Sequence, residues 1–146
     1  MKALILCGGK GTRLSEETRK IPKPMVRIGK HPVILHIINF YFSFNIKQFI
    51  LTTGYLGKII NEYFIKEFPL IKKLDRTITT KKDLQILDYS NGLRIFLLNT
   101  GLNTETGGRI LRAKKIIEND KFFHLTYGDG LSNINIKEQL LFIKKI

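Results

Sequence analysis

The residues best suited to chemistry lie in a glycine-rich turn near the start of the chain. The segment Gly8-Gly9-Lys10-Gly11-Thr12-Arg13 directly follows the apolar run 2–7. Glycines let the backbone turn tightly and bring its N–H groups close to an anion, and Arg13 can bind phosphate oxygens with two hydrogen bonds. The turn therefore predicts phosphate binding, although Gly-x-Gly alone fits equally well a turn that binds nothing.

Two well-known phosphate loops do not fit this turn. A Walker A loop requires Ser or Thr directly after Gly-Lys, whereas Gly11 follows Lys10 here. A dinucleotide fingerprint requires a glycine where Leu14 stands, and an acidic residue after the second strand, where this chain has Thr52-Thr53-Gly54. The sequence therefore excludes both loops.

Other candidate residues follow in short segments: Pro22-Lys23-Pro24-Met25, Thr106-Gly107-Gly108-Arg109 and Gly128-Asp129-Gly130. The prolines restrict the backbone around Lys23, which favours a positioned charge over an ordinary loop lysine. Asp129 lies between two glycines, where an aspartate most often hydrogen-bonds its own backbone. Arg109 follows a glycine-rich helix start, where it would face the ligand. The alternative is an ordinary surface arginine.

Together these segments resemble the signature of the sugar-1-phosphate nucleotidyltransferases, which join a nucleoside triphosphate to a sugar 1-phosphate. The stretch from Ser15-Glu16-Glu17-Thr18 to Ile28-Gly29 is similar to the glucose-1-phosphate cytidylyltransferase branch, as are Thr106–Arg109 and Thr126–Gly130. The resemblance implies transfer from CTP to glucose 1-phosphate, which gives CDP-glucose and pyrophosphate with Mg²⁺ as cofactor. Guanylyl-, uridylyl- and thymidylyltransferases share the glycine turn and the Pro-Lys-Pro segment, so the prediction of CTP rests on the Ser15–Thr18 stretch and on Thr106–Arg109.

The resemblance also implies a role for particular residues. Arg13 and Lys23 would be catalytic, with Arg13 holding the leaving pyrophosphate and Lys23 reaching the α-phosphate. Asp129 would bind Mg²⁺ and Arg109 would recognise the cytosine, while Tyr55 fits packing as well as nucleotide contact. The full set expected to bind nucleotide is Leu6, Gly8, Gly9, Gly11, Thr12, Arg13, Lys23, Gly54, Tyr55, Thr106, Gly107, Arg109, Gly128 and Asp129.

The resemblance covers only part of the family's length. Family members are longer, and the further portion normally carries a second metal-binding aspartate and most of the sugar pocket. The last predicted helix also reaches Ile146 without a stop signal. We therefore expect residues 1–146 to be the N-terminal, nucleotide-binding part of a nucleotidyltransferase domain, and a catalytically inactive nucleotide-binding fragment is the alternative to an active enzyme.

Composition limits the other function classes. The net charge of +13 suggests a polyanion partner, but the lysines are scattered and no zinc-finger spacing or RNP motif is present, so a nucleic-acid-binding module is the weaker alternative. The single cysteine excludes an intramolecular disulfide. No apolar run is long enough to span a bilayer, so we expect a cytoplasmic protein with no membrane partner. The family resemblance, in turn, implies a role in nucleotide-sugar and lipopolysaccharide O-antigen biosynthesis and a homo-oligomer.

Alternating strands and helices must position these residues. We predict strands at 2–7, 48–53 and 122–127, a strand pair within 84–98 joined at Asn91-Gly92, and helices at 33–44, 56–68, 107–119 and from 136 onward. The region 72–82 is predicted as a variable loop. This order favours a Rossmann-like, three-layer α/β/α fold with a mostly parallel sheet, in which the glycine turns after the strands meet at one edge.

Overall fold

A six-stranded sheet organises the part of the chain that the computed structural model describes, which is residues 1–10, 20–68 and 76–145. Its strands are β1 (Ala3–Leu6), β4 (Gln48–Thr53), β5 (Arg76–Lys81), β6 (Leu84–Tyr89), β7 (Arg94–Asn99) and β8 (His124–Tyr127). They lie in the order β5-β6-β7-β4-β1-β8. A separate two-stranded hairpin pairs β2 (Arg27–Ile28) with β3 (His31–Pro32).

The four strands β7, β4, β1 and β8 run parallel to one another. Ile5 on β1 pairs with Leu51 on one side and with Thr126 on the other. The hairpin partners β6 and β5 are antiparallel and extend the sheet at the β7 side. The predicted mostly parallel sheet is therefore confirmed.

Helices cover both faces of this sheet. They are α1 (Val33–Ser43), α2 (Gly57–Glu62), which continues as a π-helical turn at Tyr63–Glu67, α3 (Thr106–Arg112), α4 (Lys114–Ile117) and α5 (Ile136–Ile143). Along β1, Ile5 packs into the core under α1, α2 and α5, whereas Leu4 packs into the opposite core with Ala113 and Ile117. Two cores on opposite faces of one sheet are the three-layer arrangement predicted from the sequence.

Three local predictions need correction. Residues 76–81 form the strand β5 rather than a loop, because they pair along their full length with β6. The predicted helix 107–119 is broken at Ala113 into α3 and α4, and the predicted helix 56–68 changes to π-helical geometry at Tyr63. Each of these features depends on contacts distant in sequence or on a local change of helical hydrogen bonding.

The turns that follow β1, β4, β7 and β8 come together at the carboxyl ends of the parallel strands. Tyr55 N–H, after β4, donates to the carbonyl of Gly8, after β1, at 3.3 Å. Gly128 N–H, after β8, donates to the carbonyl of Leu6 at 2.9 Å. This edge is where open parallel sheets place their ligands.

Candidate functional site

A cleft of about 780 Å³ opens at this edge of the sheet. It lies between the turn after β1, the Lys23–Met25 segment, the loop that precedes α3, and the end of β8. Its lining residues are Leu6, Cys7, Gly8, Gly9, Lys10, Lys23, Pro24, Leu102, Asn103, Thr104, Glu105, Thr106, Arg109, Tyr127, Gly128 and Asp129. The backbone of the glycine turn and the side chains of two predicted charged residues, Lys23 and Asp129, thus face one space.

Most of the expected nucleotide-binding residues that can be placed line this cleft. They are Leu6, Gly8, Gly9, Lys23, Thr106, Arg109, Gly128 and Asp129. Gly54 instead borders a neighbouring cavity of about 360 Å³, and Gly107 is exposed at the start of α3. Gly11, Thr12 and Arg13 lie outside the described residues, so their predicted roles stay predictions.

Lys23 and Asp129 form an ion pair across the cleft. The Nζ atom of Lys23 lies 3.6 Å from the Oδ2 atom of Asp129, and their side chains are 24% and 46% exposed. Lys23 begins a short 3₁₀ helix whose next residue, Pro24, is buried against Gly128. A Cβ at Gly128 would lie 2.5 Å from Cγ of Pro24, so this glycine allows the lysine segment to approach β8.

Arg109 is buried in the structure, in contrast to the ordinary surface arginine that the sequence left open. Its side chain is buried, and Nη1 donates to the carbonyls of Thr53 and Gly101 and to Oγ1 of Thr100, at 3.2, 3.0 and 2.6 Å. Nη2 donates to the carbonyl of Gly8 at 2.8 Å. Burial lowers the pKa of this guanidinium from its usual value, and the nearby Glu105 carboxylate opposes that shift. The surface-arginine alternative is therefore excluded, and recognition of the base by Arg109 stays a prediction.

Asp129 is a suitable ligand for the expected Mg²⁺, though not a complete metal site. Within residues 1–10, 20–68 and 76–145, no group of three or more His, Cys, Asp or Glu side chains could hold a metal ion. Mg²⁺ usually takes one or two carboxylates and completes its shell with phosphate oxygens and water. A half-exposed carboxylate beside a turn that is predicted to bind phosphate fits that donor set.

Cys7 lies under the cleft and has no sign of reactivity. The thiol is 2% exposed, and burial, together with the charge of Asp129, raises its pKa far above the usual value. A thiol that stays protonated is a poor nucleophile. The structure thus supports a packing role for Cys7.

Sequence reasoning missed two groups of residues at this site. The loop Leu102–Glu105 and the exposed ring of Tyr127 line the cleft, while Thr53 and Thr100 accept hydrogen bonds from Arg109. The loop residues carry no recognisable motif. Tyr127 had a usable signal, because it directly precedes Gly128-Asp129 at the end of a predicted strand.

Known proteins of similar sequence are nucleotidyltransferases. Residues 2–129 match the family described as nucleotidyl transferase. The chain is 47% identical over 136 residues to a probable glucose-1-phosphate cytidylyltransferase of Bacillus subtilis (strain 168), a match that covers 93% of this chain and 53% of the relative. It is 40% identical over 146 residues to the glucose-1-phosphate cytidylyltransferase of Salmonella typhimurium, covering 99% and 56% of the two chains.

A solved structure shares the fold over nearly all of this chain. The crystal structure of HddC from Yersinia pseudotuberculosis complexed with GMP-PN superposes with a TM-score of 0.69 at 27% identity, covering 99% of this chain and 53% of that one. The chain thus spans about half the length of the curated relatives and of the structure it matches.

Proposed function

This chain belongs to the nucleotidyl transferase family, and we propose that it binds CTP with Mg²⁺ and transfers the cytidylyl group to glucose 1-phosphate. The observation that carries the proposal is the meeting of the Gly8–Gly9 turn, Lys23 and Asp129 in one cleft. Backbone N–H groups and a lysine suit phosphate oxygens, and a carboxylate suits the accompanying cation. Both substrates, CTP and glucose 1-phosphate, are proposed and not shown by the family match.

In the proposed reaction, a phosphate oxygen of glucose 1-phosphate attacks the α-phosphorus of CTP. A new P–O bond forms, the bond between the α-phosphorus and the bridging oxygen breaks, and pyrophosphate leaves with the electron pair. Such transfers need alignment and neutralisation of charge rather than a protein nucleophile. Bound Mg²⁺ would neutralise phosphate charge.

The residues of the chain divide this work between them. The turn after β1 would wrap the triphosphate, and Lys23 would approach the α-phosphate from the side of the Lys23–Met25 segment. Lys23 is ion-paired with Asp129 in the ligand-free cleft. When the nucleotide and Mg²⁺ enter together, we expect the Lys23–Asp129 ion pair to separate. Lys23 then binds a phosphate oxygen, and Asp129 binds the cation.

CTP is proposed over other nucleotides because two relatives named as cytidylyltransferases are 47% and 40% identical to the chain. The decisive experiment is a calorimetric binding series with CTP, UTP, GTP and dTTP in the presence of Mg²⁺, and with a single-stranded RNA in parallel. Tightest binding of CTP supports the proposal. Tighter binding of another nucleotide keeps the class of ligand and overturns the base, whereas binding of RNA but of no nucleotide overturns both.

A second candidate is nucleotide binding without turnover, which the coverage of only about half of each relative favours. Incubation with CTP, Mg²⁺ and glucose 1-phosphate, followed by a pyrophosphate assay, separates the two candidates. Release of pyrophosphate supports the transferase, and CTP binding without release supports the second candidate.

A cytoplasmic location, a role in O-antigen synthesis and homo-oligomer formation remain predictions. No helix within the described ranges is long and apolar enough to cross a membrane.

A further inference from the structure

The Arg109 side chain is only 4% exposed although its guanidinium carries a charge. Burying a charge is costly unless it is well hydrogen-bonded. Among the described residues its close partners are neutral oxygens rather than a carboxylate: three backbone carbonyls and the hydroxyl of Thr100. The arginine is therefore held where it is by the backbone around it.

These oxygens lie at the carboxyl ends of three different strands of the sheet. Gly8 follows β1, Thr53 ends β4, and Thr100-Gly101 follow β7, while Arg109 itself comes from α3. The sequence separations from Arg109 to Gly8 and Thr53 are 101 and 56 residues. One side chain thus connects the phosphate turn to the ends of two neighbouring strands.

The glycines at this junction make room for the guanidinium. A Cβ at Gly8 would fall well under 3.0 Å from Nη1 of Arg109, and a Cβ at Gly54 would fall 2.6 Å from the same atom. A Cβ at Gly9, in contrast, would meet no atom of the described residues within 4 Å. Gly8 and Gly54 are accordingly packed against Arg109, while Gly9 remains open toward the cleft.

The hydrogen bonds of Arg109 leave little for a ligand. A guanidinium has five N–H groups. The two on Nη1 serve three oxygens and one on Nη2 serves Gly8, which leaves the Nε group and one Nη2 hydrogen. Three of the five N–H groups of Arg109 thus donate to oxygens at the ends of the three strands and are not available to a ligand.

We propose that Arg109 is a positioning residue that holds Gly8, and with it the described start of the turn after β1, in place for the triphosphate, whichever base the nucleotide carries. This inference rests on the proposed function, since it concerns the same cleft. Without the guanidinium, the buried carbonyls of Thr53 and Gly8 lose a donor and the turn loses its connection to α3. The loss should then fall on the phosphate part of the ligand and not on the base.

The test compares CTP with inorganic tripolyphosphate, which has no base. Affinities of both are measured by calorimetry with Mg²⁺ for the unaltered chain, Arg109→Ala, Arg109→Lys and Gly54→Ala. We expect Arg109→Ala to weaken both ligands by the same factor, about tenfold or more, and millimolar guanidinium ion to restore both. Arg109→Lys should lose less, because an ammonium group can satisfy some of the same oxygens.

Gly54→Ala keeps the arginine but displaces its guanidinium, so it should also weaken both ligands equally. This variant and Arg109→Lys carry the test if Arg109→Ala does not fold. Lys115→Ala, which removes one exposed positive charge from α4, is the matched control and should leave both affinities unchanged.

A selective loss of CTP affinity with intact tripolyphosphate binding would overturn the inference in favour of base recognition. Unchanged affinities in the folded arginine variants would also overturn it, as would an unaltered chain that binds CTP but not tripolyphosphate. Failure of the unaltered chain to bind CTP is a different result, because it overturns the proposed function itself.

Discussion

Gly8 and Gly9 are adjacent, yet their surroundings differ. A Cβ at Gly8 would collide with the guanidinium of Arg109, whereas one at Gly9 would meet no atom of the residues that the structure describes within 4 Å. Overpacking a filled site costs about 1–3 kcal/mol, while a tolerated surface change stays within about 0.5 kcal/mol. We therefore expect Gly8→Ala to lower the free energy of unfolding in urea and Gly9→Ala to leave it nearly unchanged. Equal losses would contradict the packing of Arg109 against Gly8.

The charged side chains of the proposed triphosphate site give a second prediction. Arg13→Ala and Lys23→Ala should each weaken CTP binding by about tenfold or more, because charge-assisted hydrogen bonds to phosphate contribute about 1.5–3 kcal/mol. Calorimetry at fixed salt measures the effect. Lys30→Ala, which removes an exposed charge from the turn between β2 and β3, is the control. Unchanged affinity in both test variants would refute the assignment of the turn as a triphosphate site.

At the scale of elements, the start of β1 is fastened to the turn after α4 by Asp120. Its carboxylate accepts a hydrogen bond from Lys2 and forms an ion pair with the N-terminal amine at 3.1 Å. The side chain is 12% exposed. Burial raises its pKa, but the hydrogen bonds and charges of Lys2 and the amine outweigh burial, so the pKa of Asp120 lies below its usual value.

Asp120→Asn should therefore destabilise the fold at neutral pH by about 1–3 kcal/mol. Since the pKa is depressed in the folded state, this stabilisation is complete above the unfolded pKa of about 3.9 and is lost as pH falls through the folded value. The difference in the free energy of unfolding between the unaltered chain and Asp120→Asn, measured in urea, should accordingly decrease below about pH 4. Glu118→Gln, which alters an exposed carboxylate nearby, is the control, and an identical pH dependence in both variants would contradict the prediction.

The elements that could be predicted from the sequence are those set by local signals. The hairpin between β6 and β7 follows from Asn91-Gly92, since Gly92 adopts a φ of +82° that few other residues tolerate. The strand β5 was missed because its residues are largely exposed and polar, and its pairing with β6 is its main support. An edge strand of this kind carries no buried alternation.

The same distinction applies to the site. Asp129 could be placed at this edge because it lies in a glycine turn directly after a predicted strand, whereas Lys23 was placed there through the resemblance of the Pro22-Lys23-Pro24 segment to the family's motif. The function of Arg109 as a connection between turns could not, because its partner Gly8 is 101 residues away and the contact uses backbone carbonyls. Every residue has a backbone carbonyl, so residue type does not show which carbonyl accepts a hydrogen bond. The glycine that makes room for the donor is the one signal in the sequence.

At the scale of the whole molecule, exposed apolar side chains concentrate toward the end of the chain. Of the twelve large apolar residues exposed in the described ranges, seven follow residue 124. They are Leu125, Tyr127, Leu131, Ile134, Leu141, Phe142 and Ile143. They lie on β8, which is an outer strand of the described sheet, on α5, and on the segment between them. Leu125 of β8 and Ile143 of α5 line one cavity of about 290 Å³, so these two elements adjoin there. Exposed apolar groups that adjoin in this way commonly mark a surface of association.

We therefore expect the chain to self-associate through this region at high concentration. Leu141 and Phe142 are 60% and 67% exposed, so replacing both with Glu should weaken association by at least roughly tenfold. The two acidic residues also reduce the net charge of +13, which lowers repulsion between copies, so weaker association must then come from lost apolar contact. Sedimentation velocity over a concentration series measures the effect. Leu111→Glu, at a residue 69% exposed on α3, is the matched control, and an equal decrease there would show that association does not use α5.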